Sequence, residues 1–120
     1  MADFVGRDPR GYCVVLDGGS WAHALEHHSD FNGSIRLAFG ALTNPTYIFD
    51  NQSSGRVIRT GSERYLLRID GSKFLVVPVL ILSEPEQIAG YGNVPVGTRS
   101  SVTVHTSDGL PRGNIIWRST

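Results

Sequence analysis

The segment of residues 73–82 constrains the fold of this chain more than any other segment. It reads KFLVVPVLIL, so apolar side chains occupy odd and even positions alike. A strand that is apolar on both faces is typical of the centre of a sheet whose two sides are both covered. Pro78 has no N–H group to donate to a neighbouring strand, and the sequence therefore predicts a bulge or a sheet edge at that residue.

The second half of the chain predicts further strands around this one. After Asn44-Pro45 the apolar residues alternate with polar ones, and turn-forming residues separate the short runs. Alternation points Tyr65 to one face of its strand and Arg64 and Arg68 to the other. The predicted strands are residues 47–49, 56–60, 63–69, 73–82, 101–106 and 114–117, and residues 84–97 form a loop.

The first half of the chain predicts two helices. Residues 12–16 form a β-prone run that ends at the turn signal Asp17-Gly18-Gly19. Ser20 is then expected to cap a helix of about residues 21–29. A second helix follows and ends at Asn44-Pro45, because the residue before proline disfavours the helical conformation. Its apolar stripe consists of Ile35, Ala38, Phe39 and Leu42.

These elements predict one α+β domain over residues 1–120, with two N-terminal helices packed on one face of an antiparallel sheet of four to six strands. A chain of 120 residues is long enough to enclose one hydrophobic core. Its longest apolar run is shorter than the roughly 20 residues of a membrane-spanning helix, so no membrane segment is expected. Cys13 is the single cysteine, which excludes an internal disulfide and predicts a reducing, cytoplasmic location.

The charge of the chain is balanced. Eleven basic and eleven acidic residues give a formal net charge of zero, which argues against a protein held to nucleic acid by bulk charge. Ten of the basic residues are arginine, whose planar fork suits bidentate contacts with phosphate. Within residues 56–73 the basic side chains outnumber the acidic ones. These basic side chains either bind phosphate or lie on a sheet face that is open to water. They are Arg56, Arg59, Arg64, Arg68 and Lys73.

The histidines are the most concentrated source of acid–base chemistry. His23 and His27 are four positions apart and share one side of the predicted helix, whereas His28 lies on its apolar side. On a regularly alternating strand, His105 shares a face with Thr103, opposite the valines that face the core. Histidine titrates near neutral pH, and two imidazoles across a cleft beside arginines would suit phosphodiester cleavage.

Several short motifs, taken in order, resemble one known family. They are Val14-Val15-Leu16, Trp21-Ala22-His23-Ala24-Leu25, His28-Ser29-Asp30, Asn44-Pro45 and Ser101-Val102-Thr103-Val104-His105. In this order they resemble the phage-associated barnase–EndoU–colicin–RelE-like nuclease domains, over about residues 14–117 of this chain. Two departures stand out: Ser29 occupies a position where that family usually has proline, and His105 one where it usually has tyrosine.

The resemblance implies a single barnase-like domain that is a metal-independent endoribonuclease without a cofactor, and in some relatives a toxin delivered into a target cell. The expected partners are an RNA substrate, such as transfer RNA, and an immunity or antitoxin protein. Combined with the histidine chemistry, it predicts transesterification to a 2′,3′-cyclic phosphate. The predicted catalytic residues are His23, His105, Thr103 and Arg64, and the predicted substrate-binding residues are Arg68, His27, His28 and Arg59.

Two other hypotheses stay open. His23-Ala24-Leu25-Glu26-His27 spells H-x-x-E-H, a pattern in which two histidines bind zinc and the glutamate activates water. Glu84 or Glu86 would then supply the third ligand of a metalloprotease. The second hypothesis is a catalytically inactive binding or structural module, in which the histidines are packed or solvated.

Overall fold

A computed structural model describes residues 3–27, 35–50, 52–53, 56–57 and 61–119. Strands dominate these residues. The elements in chain order are β1 Phe4–Arg7, β2 Cys13–Leu16, α1 Gly18–His27, α2 Ile35–Thr43, β3 Tyr47–Asp50, β4 Gln52–Ser53, β5 Arg56–Val57, β6 Ser62–Asp70, β7 Lys73–Ile81, β8 Glu86–Ile88, β9 Gly92–Val94, β10 Arg99–Ser101, β11 His105–Asp108 and β12 Ile115–Arg118. Neither helix in the described ranges has the length and apolar character that crossing a bilayer requires.

The main sheet is built around β7. The strand order is β1-β2-β10-β7-β6-β3-β12, and β11 also pairs with β7. β10 runs parallel to β2, and the other neighbours pair antiparallel. The short pairs β4–β5 and β8–β9 lie outside this sheet. The central position that the apolar pattern of residues 73–82 predicts is confirmed.

The prediction of an α+β domain with two N-terminal helices on one face of an antiparallel sheet of four to six strands is wrong. The described structure is mostly strand, its main sheet has eight strands of mixed direction, and a further strand, β1, precedes the β-prone run that forms β2. The reason lies in the pairing of Val14 with Arg99 and of Val15 with Ser100. These residues are far apart in the chain, and local periodicity does not reveal such a contact.

The two helices also begin and pack differently from the prediction. α1 begins at Gly18, because Asp17 rather than Ser20 caps it: Asp17 Oδ1 accepts the N–H of Gly19 at 2.8 Å. α2 is the helix that lies along the sheet, in contact with β1, β2, β6 and β7. α1 contributes Trp21 to the hydrophobic core.

The sequence predicts a bulge or a sheet edge at Pro78, and the structure has a shift in strand pairing opposite this residue. Ser101 on β10 pairs with Val79, and His105 on β11 pairs with Val76, so one strand advances four residues where β7 advances three. Between them the N–H of Val102 donates to the carbonyl of Pro78 at 2.9 Å. Because proline offers no N–H in return, the ladder is interrupted there. The strand predicted over residues 101–106 is therefore two strands.

The two faces of the main sheet are covered differently. One carries the apolar side chains of Val14, Leu16, Ile48, Tyr65, Leu75 and Val77 and packs against α2; we call it the α2 face. Cross-strand registers place Leu66 and Val76 on the opposite face, here called the far face. Arg64 lies there 5.5 Å from the ring centre of Phe49, and Arg68 lies 4.8 Å from that of Phe74. Arginine side chains therefore cover part of the apolar far face.

Gly6 and Gly40 provide a matched test of the packing of α2. A Cβ atom at Gly6 would lie 2.7 Å from Phe39 Cζ, so Gly6→Ala should lower the free energy of unfolding by about 1–3 kcal/mol. A Cβ atom at Gly40, inside α2, would lie 4.0 Å from Leu67 Cδ2, so Gly40→Ala should raise it by roughly 0.5–1 kcal/mol. Urea unfolding measures both changes, and the same sign in both variants would contradict the described contact between β1 and α2.

Candidate functional site

A pocket opens where the turn between β1 and β2 meets the loop that leads from β9 into β10. Its volume is about 330 Å³, within the range of small-ligand sites. Tyr12, Tyr91 and Val96 at this pocket are 45%, 62% and 59% exposed. We call it the tyrosine pocket; its lining includes Arg7, Tyr12, Cys13, Tyr91, Asn93 and Val96.

Asp8 organises the turn that carries Tyr12. Its carboxylate accepts the backbone N–H of Arg10 at 2.9 Å and that of Tyr12 at 3.0 Å. The N–H of Gly11 donates to the Asp8 carbonyl at 2.9 Å, and Gly11 has a φ of 92°, which favours glycine. These bonds fix the backbone of Tyr12 at the rim of the pocket.

A cluster of buried charges lies behind this turn; we call it the arginine–carboxylate network. Arg10 donates to both carboxylate oxygens of Glu63, at 3.0 and 2.7 Å, and to Asp8 Oδ2 at 3.0 Å. Arg99 Nε donates to Glu63 Oε1 at 3.1 Å. Asp8, Glu63 and Arg99 are 5%, 7% and 7% exposed. The two guanidinium groups balance the two carboxylates, so the cluster carries no net charge.

Tyr65 connects the network to the hydrophobic core. Its hydroxyl donates to Asp8 Oδ2 at 2.7 Å and accepts from Arg10 at 2.9 Å, while its ring is fully buried on the α2 face. Burial raises the pKa of this phenol, and the hydrogen bond to Asp8 raises it further. The hydroxyl therefore stays protonated and remains a donor to Asp8.

Glu63 is the residue at which both arginines meet. Burial alone would raise the pKa of its carboxyl, but the hydrogen bonds and charges of Arg10 and Arg99 outweigh burial and hold that pKa below its usual 4.5. For the Arg10 guanidinium the directions are reversed. Burial alone would lower its pKa, but the contacts with Glu63, Tyr65 and Asp8 outweigh burial and raise that pKa. Glu63 and Arg10 therefore both keep their charges at neutral pH.

The network also positions the ring of Tyr12. The guanidinium carbon of Arg99 lies 3.7 Å from the centre of this ring, and that of Arg10 lies 5.0 Å from it. Both distances are within the range of cation–π contacts. The position of an exposed ring at the rim of the pocket is thus set by buried charges.

Arg7 supplies the charge of the tyrosine pocket itself. It pairs across the β1–β2 ladder with Cys13, and one guanidinium nitrogen donates to the Gly11 carbonyl at 2.9 Å. Among the described lining residues, it is the one with a formal charge. The pocket is therefore mildly cationic, although the whole chain is neutral.

Three residues predicted for RNA cleavage lie together on the far face. His105 pairs with Val76 of β7, which places it on the same face as Arg64 and Arg68 of β6. β6 and β11 flank β7, so their backbones lie roughly 10 Å apart. The far face therefore combines an imidazole with two guanidinium groups.

Arg64 is held firmly on the far face. It donates to the Asp50 carbonyl at 2.7 and 3.1 Å and to the Arg112 carbonyl at 2.6 Å. Burial lowers the pKa of its guanidinium, and the charge of Asp50 opposes this effect. Arg68 is exposed, and one of its nitrogens donates to the Gly71 carbonyl.

Thr103 lies between β10 and β11. Its Oγ1 is buried and has no hydrogen-bond partner in the described part of the chain. Val104 is fully buried, as the alternating pattern predicts, whereas Val102 is 44% exposed. The predicted alternation holds only for part of this segment because the bulge opposite Pro78 interrupts the strand.

The remaining predicted site residues belong to segments whose side chains the structure does not describe. His23 and His27 belong to α1, and only the backbone of these two residues is described. His28 and Arg59 lie outside the described residues. Trp21 of α1 packs on the α2 face, and His105 lies on the far face, so these two residues contact opposite sides of the sheet.

Metal binding has no candidate cluster in the described ranges. No group of three or more histidine, cysteine, aspartate or glutamate side chains is placed there to hold an ion. The two histidines of the H-x-x-E-H pattern are outside that search, since their side chains are not described. Glu84 and Glu86 are exposed.

The arginine–carboxylate network was not predicted from the sequence, although two signals in the sequence indicate it. Asp8-Pro9-Arg10-Gly11 is a turn sequence with proline at its second position. Glu63 shares a strand face with Tyr65, and a carboxylate at a core position requires a buried partner. No local signal identifies Arg99 as that partner, because it belongs to a distant strand.

Comparison with known proteins finds a likeness that runs across the chain. A highly reducing polyketide synthase, ausV of Aspergillus calidoustus, is 29% identical over 120 residues. The match covers 98% of this chain and 4% of the synthase, so the chain spans a small part of the length of this relative. No protein-family profile and no solved structure matches the chain.

Removing the charge of Glu63 should destabilise the fold. Glu63→Gln leaves Arg10 and Arg99 facing one buried carboxylate, and the free energy of unfolding should fall by about 3–5 kcal/mol. Glu86→Gln removes the same charge from an exposed position on β8 and should change it by less than about 0.5 kcal/mol. Urea unfolding at neutral pH measures both variants.

The pH dependence of stability provides a control for this prediction. The pKa of Glu63 in the folded chain lies below its usual 4.5, so the stability it contributes is complete above pH 4.5 and is lost as the pH falls through the folded pKa. The stability difference between wild type and Glu63→Gln should therefore shrink on acidification. A difference that stays constant down to acid unfolding would contradict an ionised Glu63.

Proposed function

We propose that this chain is a ligand-binding module and that the tyrosine pocket is its binding site. The observation that carries the proposal is the presence of two exposed aromatic side chains, Tyr12 and Tyr91, at a cavity whose wall is held by buried charges. Exposed aromatic groups are typical of binding surfaces, because each offers a large contact area at a low entropic cost.

The arginine–carboxylate network supports this proposal because stability alone does not explain buried charges. A buried ion cluster is often no more stabilising than apolar residues of similar volume. In this chain the network ties down both walls of the pocket, since Arg10 holds the turn before Tyr12 and Arg99 donates to the Gly97 carbonyl in the opposite loop. A site that already has its binding shape loses less entropy when the ligand arrives.

The likeness to a polyketide synthase favours a module over an independent toxin. The matched segment is a small fraction of a much longer protein. We infer that domains of this kind serve as accessory binding units that larger biosynthetic proteins can carry. The single Cys13 needs no oxidising compartment, so a cytoplasmic location is part of the proposal.

A fragment titration followed by nuclear magnetic resonance tests the site. Fragments that bind should shift the backbone amide signals of residues 11–13, 91–94 and 96–98. Val96→Trp should abolish these shifts because the larger side chain fills the pocket. Leu110→Trp is the matched control: Leu110 is 50% exposed and lies outside the pocket lining, so this variant should bind as wild type does. Fragments that still bind Val96→Trp would contradict the proposal.

A second candidate function is RNA cleavage on the far face. The observation that favours it is the shared face of His105, Arg64 and Arg68. In this proposal His105 acts as a general acid or base on the 2′-hydroxyl or the leaving oxygen, and the arginines hold the phosphate. His23 would supply the second acid–base group and Thr103 would position the phosphate. Transfer RNA and an immunity protein are the corresponding partners.

Cleavage assays on transfer RNA and on single-stranded RNA test this candidate. His105→Ala should reduce cleavage by about 10²–10⁴-fold, the products should carry 2′,3′-cyclic phosphates, and DNA should remain intact. Arg36→Gln, an exposed change on α2, should leave the rate unchanged. If wild type and His105→Ala are equally inert on both RNAs, the ribonuclease proposal is wrong and the pocket proposal is unaffected.

A further inference from the structure

We infer that the ligand of the tyrosine pocket is a planar, conjugated molecule that carries an anionic group, with the ring against the tyrosines and the anion at Arg7. This inference rests on the proposed function, because it names the class of ligand for the same site. Three properties of the pocket support it: its charge, its aromatic rim and its neutral remaining lining.

The charge of the pocket favours an anion. Arg7 is the formally charged residue of the described lining, while Arg10 and Arg99 behind it are balanced by Asp8 and Glu63. The bond of Arg7 to the Gly11 carbonyl uses one nitrogen, and a guanidinium group has five N–H donors. Several donors therefore remain for a carboxylate or phosphate, which the planar fork binds in bidentate fashion.

The aromatic rim favours a planar ring and disfavours a cation. Arg99 covers the Tyr12 ring at 3.7 Å, yet the Tyr12 side chain remains 45% exposed. Arg10 also lies 5.0 Å from this ring, so two cations already contact it and a further cation gains little there. An electron-rich ring, in contrast, can stack against a tyrosine in an offset or edge-on arrangement. Tyr91, which is 62% exposed, adds a second aromatic surface at the same pocket.

The other lining residues are apolar or neutral and favour a compact ligand. Val94, Pro95 and Val96 form an apolar part of the lining, and the Asn93 amide offers both donor and acceptor groups. No carboxylate lines the described pocket, so nothing there compensates a positive ligand. A volume of about 330 Å³ accommodates a compact ring system with one charged substituent, and excludes an extended polymer from the interior.

Four probes separate charge from planarity. 2-Naphthoate is planar and anionic, 2-naphthamide is planar and neutral, 2-naphthylmethylamine is planar and cationic, and cyclohexanecarboxylate is anionic without a conjugated ring. Dissociation constants follow from titrations of wild-type protein observed at the amide signals of residues 11–13, 91–94 and 96–98. We expect 2-naphthoate to bind about 10-fold more tightly than 2-naphthamide, with the amine and the cyclohexane acid weaker still. Uridine 5′-monophosphate, as a fifth arm, distinguishes a nucleotide from a compact aromatic acid as the source of the same chemistry.

Variants of the pocket assign each preference to a side chain. Arg7→Gln should remove the preference for 2-naphthoate over 2-naphthamide and leave the affinity for 2-naphthamide unchanged. Tyr91→Leu should weaken both planar probes by about 3–10-fold and keep their ratio. Arg112→Gln removes an exposed arginine outside the pocket lining and should alter neither affinity nor ratio.

Other outcomes would contradict either the proposed class of ligand or the binding site itself. Equal or tighter binding of 2-naphthamide or of the amine in wild type would contradict the inference, as would a preference for 2-naphthoate that survives in Arg7→Gln. If none of these probes binds while other fragments still bind at the pocket, the inference is wrong and the proposed binding function remains. If no fragment of any class binds at the pocket, both are wrong.

Discussion

The bidentate ion pair between Arg10 and Glu63 is the interaction on which the described structure depends most. Glu63 on β6 and Arg99 on β10 flank the central strand β7, and Arg10 reaches the same carboxylate from the turn between β1 and β2. One carboxylate thus joins three separate parts of the chain. Since unpaired buried charges are strongly unfavourable, the turn, β6 and β10 are required to take up their positions together.

Much of the sheet could be predicted from the sequence because its signals are local. The apolar run around Pro78 predicts both the central strand and the interruption of its ladder, and the alternation of residues 63–69 predicts which side chains share a face. The parallel pairing of β2 with β10 could not be predicted in this way. It depends on a contact between distant segments, and β10 is too short to show a period of its own.

The candidate site was hidden from sequence reasoning for a related physical reason. Arginine side chains are usually solvated, so an excess of arginine predicts an exposed surface. The histidines then remain as the predicted source of acid–base chemistry. In this chain Arg10 and Arg99 are instead paired with carboxylates that lie far away in sequence. The predicted residues His105, Arg64 and Arg68 do share one face of the sheet, because β-strand alternation and one antiparallel register are enough to bring them there.

The position of β10 has a consequence for the order in which the molecule is completed. β10 has three residues and separates β2 from β7; without it, the hairpin of β1 and β2 has no neighbour on that side. A ribosome delivers this hairpin early and β10 late, and contacts between such distant segments form slowly. During synthesis the β1–β2 hairpin therefore has an unpaired edge until β10 is made. The pocket is complete only when the loop from β9 into β10 packs against the turn of that hairpin. Occupancy of the pocket would then report that β10 has joined the hairpin of β1 and β2 to the rest of the sheet.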